Sequence, residues 1–422
     1  MTFHRDRAAE FMRRYQLDAL VATSPVNITY FSDYHCWVDP VFKEYMMQPG
    51  GSSDRMQSYA VFPLEGKPAL VVDPVFAVNA TDSWVQDLHT GGKPGLDQSM
   101  SPTAASELDQ RLRDVFQKSE PNATSTDALV NILKTRALTD ARIGLEMEGL
   151  PARTNAAIRE ALPKATFLDC TSLIRLIRMV KSAEELSRLT RSAQIAEEAA
   201  EKSLALARVG VPIDELVQQY RASVAEQGAE FEHFAFSVRG WGIATEPSYV
   251  LTDEDCLYVD FGCIYKHYYS DAGVTLATGP LPAAIAERYA ALRECVEAGV
   301  SAIRPGVRAS AIQSAMKGIL SQRGIDVSFP HGHGIGLELR DYPILVPDNQ
   351  LRIRDDCVDE QSDLLLEANM AINLEAPLFM PGVGGLQIEQ TFVVTESGCR
   401  PLITQNRQQP FMPNSTNPGS ST

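Results

Sequence analysis

The chain has 422 residues, 44% of them hydrophobic, and a formal net charge of −16. At about 150 residues per domain, that length predicts two domains with a sizeable core. An acidic field of this size, with no local gathering of basic residues, repels phosphate backbones and anionic lipid, and so argues against nucleic acid or a membrane surface as partner.

The opening "MTFHRDRAAEFMRRYQ" is charged and amphipathic, with no apolar leader-like core, and no stretch of the chain approaches the ~20 apolar residues of a membrane span. Seven cysteines (Cys36, Cys170, Cys256, Cys263, Cys295, Cys357 and Cys399) are scattered without CxxC pairs. That usage fits a reducing compartment better than a disulfide framework. The expectation is a soluble, unexported, cytoplasmic protein.

Ala8, Phe11, Met12 and Tyr15 have helical spacing, and the apolar run "LDALVAT" that follows reads as a buried strand. "SYAVFPLEGKPALVVDP" is two β-rich runs around a turn; "ARIGLEM" and "ATFLDCT" are further strands on either side of the helical "TNAAIREAL". Residues 1–170 therefore read as an α/β domain. Within it, "HCWVDPVFKEYMMQPGGSSDRM" has the composition of a surface loop, and its aromatics and methionines also suit a contact between chains.

A second domain, residues 171–409, opens on a long helix with Ser182 and Glu185 as a capping box and Gly210 at its end. Another helix follows, and then the period-two strands "FEHFAFSVRG", "CLYVDFGCIY" and "YYSDAGVTLATG". Two more helices lead to a glycine-histidine stretch, "FPHGHGIGLELRDYPIL", and to the late strands "AINLEAPLF" and "GLQIEQTFVVT". Helices beside a largely antiparallel sheet make an α+β layer arrangement. The segment 410–422, rich in Pro, Ser and Asn, is expected to be disordered.

Four acids stand alone in apolar strands of this domain: Asp260 in "LYVDFG", Asp271 in "YYSDAGVT", Glu375 in "INLEAPL" and Glu389 in "LQIEQTF". Burying a carboxylate is costly unless it is paired or holds a metal, and four converging carboxylates cannot all be anions without cations between them. Adding one imidazole gives an oxygen-rich donor set suited to a pair of hard or borderline divalent ions.

These residues carry a resemblance. Residues 175–407 are similar to the pita-bread metallohydrolases, which include Xaa-Pro aminopeptidase, prolidase, methionine aminopeptidase and the non-peptidase creatinase. The matching stretches are "VDFG", "YYSDAGVT", "GHGIG", "INLEAP" and "QIEQT", in the family's order. The N-terminal "LDALVATSPVNITYFSDY" resembles the creatinase and prolidase N-terminal domain. The resemblance implies a pita-bread fold for the second domain and two divalent ions of unnamed identity (Mn, Co, Zn or Fe). Asp260 would bind one ion, Asp271 and Glu389 would bridge both, and His333 and Glu375 would complete the second. It further implies a metal-bridging hydroxide as nucleophile, Glu375 as its proton shuttle, and a homodimer; the aromatics and methionines of residues 35–57 lead to the expectation that this segment reaches the partner's active site. Gly334 and Gly336 are expected to let the backbone pass close to the metals.

The chain departs from the family's peptidases in two places. Arg340 stands seven residues after His333, where peptidases carry His, and "GIATEPSYVLTDED" replaces the usual histidine segment before Asp260. A guanidinium stays charged and offers a fork for a carboxylate, which points to a small carboxylate-bearing substrate, unless Arg340 only pairs with Asp341 or Glu338. His331 is either a substrate-facing residue or a turn histidine bonded to backbone. His233 is the remaining candidate proton carrier or a packed strand histidine. Arg239 and Trp241, beside it, are candidates for the substrate wall. The implied activity is that of an Xaa-Pro dipeptidase or aminopeptidase. The alternative is a creatinase-like hydrolase or lyase acting on a small nitrogen-containing metabolite.

Overall fold

The computed structural model describes residues 1–36, 38, 49–50, 57–92, 94–96, 106–246, 248–405 and 407–413. Most of the 35–57 segment, and residues 414–422 of the expected tail, lie outside the described residues. The chain divides into two compact units: Met1–Arg178 with Arg352–Glu360, and Met179–Leu351 with Gln361–Thr422. Among the described residues no helix is long and apolar enough to cross a membrane.

In the first unit, strands β1 (Ala19–Ala22), β2 (Tyr59–Pro63), β3 (Ala69–Val72), β4 (Asp87–Thr90), β5 (Arg142–Leu145) and β6 (Thr166–Asp169) form a mixed sheet in the order β4-β3-β2-β1-β5-β6. Ala19, Val21, Val61, Val71, Ile143 and Leu145 share a core with Leu129, Leu133 and Ile158 of two helices. The unit runs past the expected boundary at 170 because the helix Thr171–Arg178 buries Leu173, Ile174, Leu176 and Ile177. Arg7 donates to the Leu176 carbonyl, and Arg178 to Asn27 Oδ1 at 2.8 Å. The returning segment Arg352–Glu360 is tied in by Asp355 and Asp356, whose carboxylates accept from the backbone N–H groups of Leu173 and Asp169.

In the second unit the strands in chain order are β7 (Glu230–Ser237), β8 (Ile243–Ala244), β9 (Cys256–Tyr265), β10 (Tyr268–Tyr269), β11 (Ala272–Ala277), β12 (Gly332–Gly334) and β13 (Asp341–Ile344). After the separate ribbon of β14 (Arg352–Arg354) and β15 (Asp359–Gln361) come β16 (Ala371–Glu375), β17 (Leu378–Met380), β18 (Gly384–Leu386), β19 (Glu389–Val394) and β20 (Cys399–Pro401). Among the described residues the main sheet has ten strands, with the path β13-β12-β16-β19-β11-β9-β7-β8, and its printed pairings are antiparallel.

The helix Ala183–Leu204 has the capping box of Ser182 and Glu185. It ends six residues before Gly210, because the next turn tightens through bonds from Leu206 N to Ser203 O and Ala207 N to Leu204 O. This helix and Ile213–Glu226 cover one face of the sheet: Ile195, Ala199, Leu216 and Tyr220 pack with Phe234, Phe236, Leu257, Val259, Phe261, Val274 and Leu276. Of the segment expected to be disordered, residues 410–413 are described. Phe411 exchanges backbone bonds with Thr275 and Ala277, so its apolar ring and extended backbone add to the edge of β11.

Candidate metal centre

Along β9 the odd-numbered Leu257, Val259, Phe261 and Cys263 enter the helix-covered core. Because side chains alternate along a strand, Tyr258, Asp260 and Gly262 take the other face. The register carries that face across the sheet. Asp260 lies opposite Gly273, Gly273 opposite Glu389, and Glu389 opposite Glu375. Asp271 is two residues before Gly273, His333 is opposite Asn373, and His233 is opposite Gly262, so each shares this face by the same period. All four lone acids and both His233 and His333 therefore meet on one side of one sheet.

Two in-strand glycines clear room for them. A Cβ at Gly273 would stand 2.4 Å from Gln387 Cγ and 2.8 Å from Glu389 Oε2; one at Gly262 would stand 2.6 Å from His233 Cε1. Gly334 and Gly336 serve other neighbours than the expected metals. Their added Cβ atoms would meet the Tyr342 carbonyl oxygen at 2.1 Å and Lys181 Nζ at 2.8 Å, so these glycines admit the next strand and a buried lysine.

The ligand atoms of His233, Asp260 and Asp271 lie within 4.8 Å of one another, and so do those of Asp271, His333 and Glu389. Asp271 is common to both groups. Glu389 is held from both sides: Asn373 Nδ2 donates to Oε1 at 2.6 Å and Gln387 Nε2 to Oε2 at 2.9 Å. Asp260 accepts from the Tyr258 hydroxyl and lies 2.8 Å from His233 Nε2. Glu375 belongs to neither group. Its Oε1 accepts from Arg340 Nη2 at 3.2 Å.

The electrostatics are those of too many carboxylates in a dry place. Burial pushes Glu389 well above the usual carboxylate range, and the charges of Asp260, Asp271 and Glu375 add to it. Burial likewise raises Glu375 to about 7, against the pull of His333 and Arg340. Burial raises Asp271 too, despite His333 beside it. Asp260 is the exception: burial acts upward, but the bonds from His233 and Tyr258 outweigh it and bring the group down. His333 supplies a further sign. Its Nδ1 bonds the Gly334 carbonyl at 2.9 Å and must carry a proton there, while among the described residues its buried Nε2 has no hydrogen bond of good geometry and faces Asp271 Oδ2 at 3.3 Å, a carboxylate that raises its pKa against the effect of burial. An imidazole nitrogen close to a carboxylate oxygen, amid carboxylates that resist ionising together, is a donor set that fits divalent cations.

The remaining expected site residues are placed as follows. His331 is wholly buried; its Nδ1 bonds the Glu375 carbonyl at 3.1 Å and its own carbonyl accepts from Glu375 N. These two bonds fasten the end of β16. His233, expected as a proton carrier, has both ring nitrogens against carboxylates, Glu232 and Asp260. Burial would lower its pKa, but those two carboxylates outweigh it and raise it to about 11. Arg340 pairs with Glu375, while Asp341 pairs with the buried Lys181 at 3.2 Å. Arg239 donates to the Gly382 carbonyl at 2.6 Å, and Trp241 is 77% exposed; neither is in the carboxylate cluster.

Tyr258, Asn373 and Gln387 were missed in the sequence. Each is a polar residue two positions before an acid, in "YVD", "NLE" and "QIE". The period that marks the acids marks them as well.

Comparison with known proteins accords with this architecture. Residues 4–180 match the creatinase/prolidase N-terminal domain and residues 187–396 match metallopeptidase family M24. An uncharacterised peptidase of Bacillus subtilis is 26% identical over 268 residues, 62% of this chain and 72% of the relative. An Xaa-Pro dipeptidase of Pyrococcus horikoshii is 25% identical over 249 residues, 57% of this chain and 67% of that one. Among solved structures, an Xaa-Pro dipeptidase from Bacillus anthracis superposes with a TM-score of 0.71 at 21% identity, covering 96% of this chain and 98% of its own. The prolidase from Pyrococcus horikoshii gives 0.68 at 20% identity, with 96% and 99% covered.

Proposed function

The chain belongs to metallopeptidase family M24 and is a metal-dependent peptidase; we propose that it is a dipeptidase of the Xaa-Pro type, acting on small substrates with a free carboxylate. Asp260, Asp271, His333, Glu375 and Glu389 are the residues proposed to hold two divalent ions. Ions held by these residues would supply a water acidic enough to ionise near neutral pH and polarisation of the scissile carbonyl. Glu375 accepts the proton lost by the nucleophile and returns it to the leaving amine, a role open to a positioned carboxylate beside the reacting atoms. Asn373 and Gln387 hold the Glu389 carboxylate in place from both of its oxygens.

The observation that carries the substrate choice is Arg340. Its guanidinium lies 3.2 Å from Glu375 and its side chain is 53% exposed, so it stands at the carboxylate cluster with donors still turned to solvent. A permanent planar cation there binds a substrate carboxylate and fixes its direction. It also occupies the space where the next residue of a longer peptide would run. We further propose a homodimer to which residues 35–57 contribute, on the strength of their aromatic and methionine content.

The test is a substrate screen with the Mn²⁺- or Co²⁺-loaded protein, comparing Xaa-Pro dipeptides, Xaa-Pro tripeptides, and ureido, amidino and betaine-like compounds. The expected result is turnover of dipeptides with at least about tenfold lower kcat/KM on tripeptides. Equal turnover of tripeptides would overturn the substrate reading. Turnover confined to the non-peptide compounds would replace it with creatinase-like chemistry.

A further inference from the structure

Asp271 turns one carboxylate oxygen toward each of two imidazoles. Its Oδ2 lies 3.3 Å from His333 Nε2, and its Oδ1 lies 3.7 Å from His233 Nε2. In both histidines the other ring nitrogen is committed to an acceptor: Nδ1 of His333 to the Gly334 carbonyl, Nδ1 of His233 to the Glu232 carboxylate. A hydrogen bond at Nδ1 orients the ring and keeps a proton on that nitrogen, so that a cation replacing a proton at Nε2 meets its lone pair, the arrangement that accompanies metal-bound histidine. The Asp260 carboxylate completes the first group as Glu389 completes the second, and Asp271 belongs to both. Gly262 is part of the same design, because any side chain there would collide with the His233 ring.

From this geometry we infer that His233 is a metal ligand. It gives the Asp260–Asp271 site an imidazole of its own, to match the one His333 brings to the Asp271–Glu389 site. The inference rests on the metal-dependent reading above and changes its ligand set from one nitrogen to two. With the five residues proposed above, His233 brings the set to six protein residues for two ions. Glu375, which accepts from Arg340, keeps its proposed place in the set and its role as proton carrier. Two imidazole–carboxylate sites also favour cobalt, iron or zinc over magnesium or calcium.

The test uses Co²⁺ as the probe on the full chain, with two readings: stoichiometry and affinity by titration, and the paramagnetically shifted, solvent-exchangeable imidazole N–H resonances. Wild type is expected to bind two Co²⁺ and to show two such resonances, the Nδ1–H protons of His233 and His333. His233→Ala should weaken one of the two ions at least about tenfold and lose one resonance, while the other ion and resonance remain. If His233→Ala is too unstable to load, His233→Gln, which keeps most of the volume, is judged by the same two readings. Two ions of unchanged affinity, or a single resonance in wild type, would overturn the inference and leave His233 as a cation that positions Asp260. Asp271→Ala separates the two levels of the argument. Its failure to lose either ion would sink the metal-centre proposal itself, whereas loss of both ions there with none in His233→Ala would remove only the histidine.

Discussion

Glu375 and Arg340 lie 35 positions apart in the chain and 3.2 Å apart in the fold, and what each does is open to single substitutions. Glu375→Gln keeps the volume and the bond from Arg340 but removes the proton acceptor. It is expected to retain most of the bound metal by elemental analysis while kcat falls about 10²–10⁴-fold. Full activity of that variant would remove Glu375 from the chemistry. Arg340→Ala should raise KM for the best dipeptide about tenfold or more, the effect of losing a charge-assisted bond to the substrate carboxylate. Arg340→His should narrow the gap between dipeptides and tripeptides. Unchanged kinetic constants in Arg340→Ala would show that the guanidinium serves only to pair with Glu375.

At the scale of elements, the centre depends on the middle one of three neighbouring strands being free of a side chain in the right place. Gly273, on β11, lies between Asp260 of β9 and Glu389 of β19. Gly273→Ala puts a methyl 2.4 Å from Gln387 Cγ, so Gln387 must move and release Glu389. Overpacking of this kind costs about 1–3 kcal/mol, and metal uptake should fall below that of wild type in the same preparation. Unaltered uptake and melting temperature would show that the strand pair can open at no cost. A second element-level effect lies at the start of helix Ala183–Leu204, where Glu185 closes the capping box and accepts from Tyr268. Its carboxyl is fully buried, and burial raises it from 4.5 to about 7, only partly offset by Lys181. The folded chain therefore binds more protons than the unfolded chain between pH 4.5 and about 7. Stability falls as pH rises through that window, in total by something on the order of 3 kcal/mol. Glu185→Gln retains the acceptor for the cap and should be more stable than wild type at pH 8 but not at pH 4. Equal melting temperatures at pH 8 would show that the site admits the charged form without penalty.

For the whole molecule the expectation is a dimer, and light scattering at working concentration should report twice the 46.3 kDa of one chain. Substituting the aromatic and methionine residues between positions 35 and 57 by serine should reduce that mass or lower kcat/KM, because such side chains are enriched where proteins meet. A monomer with full activity would show that one chain is sufficient. The dimer proposal and the metal proposals are independent of each other, since every distance given for the centre lies within a single unit of a single chain.

The sequence by itself determined the period-two strands, the four lone acids on them, the histidine between glycines and hence the family, because strand alternation and the cost of a buried carboxylate are local properties. Only the tertiary structure decided how those donors are grouped. The register of β11 against β19, 116 residues on, adds Glu389 to the row of Asp260 and Gly273, and no local pattern states which oxygen faces which nitrogen. Lys181 takes Asp341 from 160 positions away, leaving Arg340 to Glu375 and not to its neighbours in sequence. His233 shows the same limit: "FEHFAF" reads as a strand histidine, and its place between Glu232 and Asp260 appears only when β7 pairs with β9 across Gly262. Pairing across the chain is set by the burial of whole faces against the helices beneath, and that is a property of the assembled sheet rather than of any one strand.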